Sequence, residues 1–178
     1  MPSHDPALNK IYARRNHSCY GMGLGIIILD DVYPGFPGDV RNASATGYPI
    51  QYEIAEGVDI KKLVRGEHKG DLLAPVLAAA RKLERMGCRA IAAECGYFAW
   101  FQQEIANVVS VPVFASSLLQ VPLAQTLIGA NKVVGLLVAE GDHLQDRHLT
   151  SVGIRLQSNY VVHGAKDDGK CPQFDSLW

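Results

Sequence analysis

The chain has 178 residues, 48% of them apolar and 20% charged, with a formal net charge of −1. That length suits one compact domain, or two small lobes sharing a cleft, with enough apolar material for a core. A charge so close to zero offers no electrostatic attraction to nucleic acid or an anionic membrane, so neither is expected as a partner.

Residues 1–18 read as a polar N-terminal arm: MPSHDPALNKIYARRN lacks the apolar centre of a secretory signal. GLGIIIL (23–29) is an unbroken β-branched run and predicts a buried strand. GMGLG (21–25) precedes that strand instead of following it, which rules out a dinucleotide-binding turn. The Pro/Gly/Asp-rich stretch DDVYPGFPGDVRNASATGYP comes next, a loop long enough to suggest function. Ile50, Tyr52 and Ile54 alternate with polar residues, as in a strand near an edge.

Lys61 and Lys62, like YARR (12–15), read as solvated surface. Asp71 is placed to cap a helix running to about residue 86, with an apolar stripe through Leu72, Leu73, Val76, Leu77, Ala80 and Leu83 and a stop at Gly87. A strand over 90–94 and a helix over 97–108 follow, then a strand over 111–116 and a helix over 121–128. KVVGLLVA (132–139) predicts another buried strand, Asp142 a capped helix through 149 stopped by Gly153, and SNYVVHG (158–164) a last strand. The alternation predicts an α/β fold, a mostly parallel sheet with helices on both faces. Ligands in such folds bind beyond the carboxyl ends of the strands, here Asp30-Asp31, Cys95-Gly96, Ser116-Ser117 and Glu140-Gly141.

Cysteines 19, 88, 95 and 171 are widely spaced, with no CxxC and no zinc-ligand pattern. Reduced thiols, a cytoplasmic location and no metal are therefore expected. The longest apolar run, GIIIL, is too short to span a bilayer. Cys95 ends a strand just ahead of a helix start, where unpaired N–H groups favour thiolate and a lowered pKa. The competing reading is a small buried hydrophobe. Gly96 allows a substrate close to the backbone. Ser116 and Ser117 fit either helix caps or carboxylate ligands. Arg41 and Asn42, in the long loop, can clamp a carboxylate, or Arg41 can be a surface residue. Asp30 and Asp31 read as turn residues, one of them able to orient a catalytic group. Cys19 and Cys88 read as structural.

GCRAIAAECGYFAWFQ, VSVPVFASSLLQVP and NKVVGLLVAEGDHL resemble segments of the aspartate/glutamate racemase superfamily, which includes hydantoin racemases, maleate isomerases and arylmalonate decarboxylases. FPGDVRN resembles a branch of it, and the likeness runs from about Gly21 to Phe174. It implies two α/β lobes facing across a cleft, no cofactor, and a small carboxylate or amino-acid-like substrate. Two cysteines, one per lobe, would exchange protons at the α-carbon of an amino acid. Cys95 matches the first-lobe cysteine, and Ser116 and Ser117 match the region lining its pocket; beside Gly96, side-chain selectivity would depend on Tyr97, on the long loop and on the missing lobe.

The implied division is a first lobe over 19–130 and a partial second lobe over 131–178, because the segment that carries the second cysteine is missing. Cys171 is the only thiol in the remaining stretch, and Val138 stands where relatives carry a hydroxyl residue. Three readings stay open: a shortened racemase or related isomerase, a one-cysteine decarboxylase, or a non-catalytic protein that binds a small acid or a partner. A shortened lobe exposes an apolar strand edge, so a homo-oligomer is expected.

Overall fold

The computed structural model describes residues 17–166, so Cys171 and nearly all of the N-terminal arm lie outside the described residues. Strands β1 (Leu24–Leu29), β2 (Ile50–Ala55), β3 (Ala90–Ala93) and β4 (Val113–Phe114) form a parallel sheet in the order β2-β1-β3-β4. A central strand is covered on both faces, and its sequence has to be apolar at consecutive positions. Ile26 and Ile27 point to opposite faces of β1, and both are buried. β2 lies at the edge, as its alternating pattern predicts. The fold is α/β, a parallel sheet flanked by helices.

Helix α1 (Ile60–Arg65) does not stand out in the sequence, because IKKLVR is short and half charged. Helix α2 (Leu73–Arg85) buries Val76, Ala79, Ala80 and Leu83 on the predicted stripe. Each such Val or Leu contributes about 1.5–3 kcal/mol by leaving water. Gly25 lets α2 approach β1 closely, since a Cβ there would lie 3.0 Å from Leu83 Cβ.

Asp71 does not cap α2; it sits in a 3-10 turn over Lys69–Leu72, and α2 begins after it. The turn forms because the buried Lys69 ammonium bonds the last carbonyls of α1, Gly66 at 2.8 Å and Val64 at 3.1 Å. Such carbonyls lack intrahelical partners.

The predicted helix after Cys95 is split into a 3-10 segment, Gly96–Phe101, and helix α3 (Gln102–Val108). Helix α4 (Val121–Ile128) follows β4 at the predicted place. Strands β5 (Val134–Val138) and β6 (Tyr160–Gly164) make a second, two-stranded parallel sheet. Between them Asp142 belongs to a 3-10 turn, and helix α5 (Asp146–Ser151) takes its cap from Gln145 and His148 instead.

The second core gathers Leu136, Leu149, Val152 and Ile154 with Val121, Leu118 and Ala99. Ala99 and Leu118 come from the segments after β3 and β4, so the second sheet is packed onto the loops that leave the first. Among the described residues no helix is long and apolar enough to cross a membrane. None of them form a group of three metal-ligating side chains.

Gly87 ends α2 at φ +78°, and its N–H bonds Glu84 O at 2.9 Å. A Cβ there would lie 2.1 Å from the Cys19 carbonyl oxygen. Gly87→Ala is therefore expected to lower unfolding free energy by at least about 2 kcal/mol, from left-handed strain and the backbone clash together. Urea denaturation of both chains measures this directly.

Candidate functional site

Strand order reverses direction at β1, with β2 on one side and β3 on the other, and crevices open at such switch points. A cleft of about 730 Å³ lies there, beyond the carboxyl ends of the strands. Cys95 and Gly96 line it after β3, Ser117 and Leu118 after β4, and residues 137–139 from the end of β5. Residues 31–33 and 39–41 of the long loop and residues 59–61 at the start of α1 complete the lining.

Cys95 is the thiol in this lining; Cys88 is buried behind β1 against Gly25, and Cys19 lies near Met86. Cys95 is half-buried, and burial raises its pKa to about 11. The Tyr97 backbone N–H, close to the sulfur, works the other way; the Glu94 and Asp31 carboxylates raise the pKa further, and Arg41 lowers it. The expectation of an activated thiolate is thus overturned. A six-residue 3-10 segment offers a weak dipole and one N–H, and desolvation outweighs both. At neutral pH Cys95 rests as the thiol.

Arg41 does grip a carboxylate, that of Glu94. Its Nε and one terminal nitrogen bond both Glu94 oxygens, the latter at 2.6 Å, while the other donors reach Asp31 O at 2.8 Å and Leu29 O at 3.1 Å. Four of the five guanidinium N–H bonds are spent inside the protein. The Leu29 N–H also donates to Glu94. Asn42 is absent from the cleft lining. Its side-chain oxygen caps the turn over Ala43–Ala45, and its nitrogen bonds Gly35 O at 3.0 Å.

Ser116 is buried and accepts from Leu118 N at 3.1 Å, a cap just behind the lining. A Cβ on Gly96 would sit 3.7 Å from its hydroxyl, so Cys95, Gly96 and the two serines are one neighbourhood. Ser117 is exposed in the cleft. Asp30 and Asp31 accept from Gly57 N and Ile60 N, both at 2.8 Å, and hold the start of α1 beside the end of β1.

Tyr97 is buried within the cleft lining, and its hydroxyl is held by the Glu140 backbone. It donates to Glu140 O at 2.6 Å and accepts from Glu140 N at 3.0 Å, joining the thiol segment to the end of β5. The Glu140 carboxylate is bound by Arg65, with Lys166 and His143 beside it. Sequence reading gave Glu94 no role and placed Glu140 only at a strand end on the expected ligand rim. A charge at the end of an apolar run, as at Glu94, does signal a buried partner; nothing in the sequence says which loop residue supplies it.

No family model matches the chain. Dimethylsulfoniopropionate lyase 3 of Emiliania huxleyi (strain CCMP1516) is 33% identical over 122 residues, 68% of this chain and 32% of that protein. Dimethylsulfoniopropionate lyase 7 of the same organism is 30% identical over 163 residues, 89% of this chain and 47% of that protein. The dimethylsulfoniopropionate lyase of Durusdinium sp. clade D is 30% identical over 149 residues, covering 81% and 50%. The chain thus spans half or less of the length of these relatives. Among solved structures, an aspartate racemase homologue from Pyrococcus horikoshii OT3 aligns at a TM-score of 0.49 and 17% identity, over 85% of this chain and 68% of that one.

Two outcomes follow from the site's electrostatics. Arg41→Met leaves the nearly buried Glu94 carboxylate without its cation and is expected to cost about 3–5 kcal/mol. In Arg41→Met/Glu94→Met part of that loss returns, which a double-mutant cycle in urea resolves.

His148 is fully buried against the Tyr97 and Trp100 rings, at 5.4 and 5.1 Å, and burial lowers its pKa to about 4 from an ordinary 6.5. Only the unfolded chain takes a proton there between those values, so stability is full above pH 6.5 and falls as pH drops toward 4. The loss is on the order of 3 kcal/mol. His148→Gln flattens this part of the profile in thermal melts run across the window.

Proposed function

We propose that this chain carries a proton-transfer site for small carboxylates in which Cys95 exchanges the proton on the carbon next to the carboxylate, and that its reaction is a lyase-type elimination. The single observation that carries the reading is a thiol at the switch-point cleft of a chain 30–33% identical to several dimethylsulfoniopropionate lyases. Dimethylsulfoniopropionate is a zwitterion with a carboxylate at one end and a sulfonium on the carbon two bonds away. Its elimination requires one base, and one thiol lines the cleft among the described residues.

The protonation state of Cys95 fits this order of events. The resting thiol is neutral, so a cationic substrate group entering the cleft shifts it toward thiolate by direct attraction. The thiolate then takes the α-proton. The electron pair of that C–H bond forms the C=C bond, and the carbon–sulfur pair leaves with neutral dimethyl sulfide. Acrylate remains, the α-proton has re-formed the resting thiol, and the one proton released to solvent is that which Cys95 gave up when the cationic group arrived. Developing charge on the carboxylate needs a donor or cation in place before the proton moves.

Racemisation is the second reading, supported by the motifs around Cys95 that resemble the racemase superfamily. It needs an acid–base group on each face of the planar intermediate. The test is to incubate the chain in D₂O with dimethylsulfoniopropionate and, separately, with an amino-acid panel. Headspace dimethyl sulfide and α-proton exchange are followed together. Dimethyl sulfide release that falls about 10²–10⁴-fold in Cys95→Ser is the expected result. Exchange with inversion of an amino acid and no dimethyl sulfide moves the assignment to racemase. Release that persists in Cys95→Ser, or no reaction with any compound, overturns both.

A further inference from the structure

We propose that Lys61 is the cation that receives the substrate carboxylate in the Cys95 cleft. The inference deepens the carboxylate reading above and rests on it. Two basic residues line the cleft, Arg41 and Lys61. Arg41 spends its charge on Glu94 and two further donors on the carbonyls of Leu29 and Asp31. Lys61 is exposed, and no carboxylate or carbonyl partner meets its ammonium among the described residues. Its neighbour Lys62 differs, being paired with Asp59 at 3.0 Å and bonded to Gly57 O at 2.8 Å.

The backbone that carries Lys61 is fixed. Ile60 N is held by Asp31 at 2.8 Å, and Lys62 N by Asp59 at 2.8 Å, so the stem leaves a pinned turn at the cleft wall. The other ionised groups in the lining, beyond the Arg41–Glu94 pair, are the carboxylates of Asp31, Asp39 and Asp59. An anion entering without Lys61 meets like charge on the loop wall. With Lys61 it has one counter-charge in the first turn of α1, and the carboxylates around it, Asp31 and Asp39 from the loop and Asp59 at the N-cap of α1, suit the positive end of a zwitterion. The ligand class is therefore a small zwitterionic carboxylate, held by its acid end at α1.

A pair of alkylating reagents tests this without any turnover. Iodoacetate and iodoacetamide both react with the thiolate, forming the same S–C bond and releasing iodide, but only iodoacetate carries a carboxylate. Modification of Cys95 in the full chain is measured by peptide mass spectrometry at one pH, so the thiolate fraction cancels in the ratio of the two rates. Lys61→Gln is expected to lower the iodoacetate-to-iodoacetamide ratio about threefold to tenfold, any fall in the iodoacetamide rate reporting the thiolate fraction alone. Lys61→Arg keeps the ratio high, and Lys62→Gln leaves it at the wild-type value. An unchanged ratio in Lys61→Gln, an equal fall with both reagents, or an equal effect of Lys62→Gln overturns the assignment. A chain inactive toward dimethylsulfoniopropionate still answers the question, so failure of the lyase reading and failure of this one are separable.

Discussion

The Glu94 carboxylate governs the site. It stands at the end of β3, almost out of water, and a buried charge has to be paired and hydrogen-bonded to exist there. Arg41 supplies the pair from 53 positions away in the chain, and Leu29 N–H, at the end of the neighbouring strand, supplies a further bond. These contacts close the long loop onto the sheet, make residues 31–33 and 39–41 a wall of the cleft, and spend the arginine in doing so. They also set two opposed charges beside Cys95, one raising and one lowering its pKa. Loop position, cleft shape and thiol environment all trace to one carboxylate's need for partners.

The protonation of Cys95 is a contest between two local effects. A thiol at the start of a long helix gains from aligned peptide dipoles and several free N–H groups. Here the segment is 3-10 and six residues long, its N-cap thiol takes no capping bond, and the side chain packs against the main core. Desolvation wins, and the resting group is an acid. In the proposed proton-transfer role such a thiol would be switched by its substrate, because a cation arriving next to a neutral thiol changes the balance that burial sets. That differs from a permanently activated thiolate, which alkylating agents and oxidants attack without selection.

The parts of this structure that are legible in the sequence are those decided by local pattern. β1 is an unbroken apolar run, α2 carries its stripe, and Gly87 is needed where φ is positive. The strand ends, and with them the location of the cleft, follow from the same patterns. What local pattern does not reveal is who pairs with whom. Arg41 and Asn42 are adjacent in the sequence and similar in expectation, yet one faces Glu94 in the cleft and the other caps a turn. Lys61 and Lys62 look alike, yet one is paired and the other is not. Asp71 has the right spacing for a cap and loses to the turn that Lys69 draws against α1. Each miss is a long-range or side-chain contact overriding a sound local preference.

The second sheet bears on the thiol through Tyr97. Its N–H acts on the Cys95 sulfur while its hydroxyl, two-way bonded to the Glu140 backbone, fixes the end of β5. One residue therefore sets both the electrostatics of the thiol and the place of the wall formed by residues 137–139. Glu140 is itself restrained through its carboxylate by Arg65 of α1, the helix that carries Lys61. The α1 wall, the β5 wall and the thiol segment are thus joined by hydrogen bonds that do not pass through the cleft. Under the proposed reading, a ligand held at α1 would meet a thiol segment already tied to that helix, which is the preorganisation that proton transfer from carbon demands.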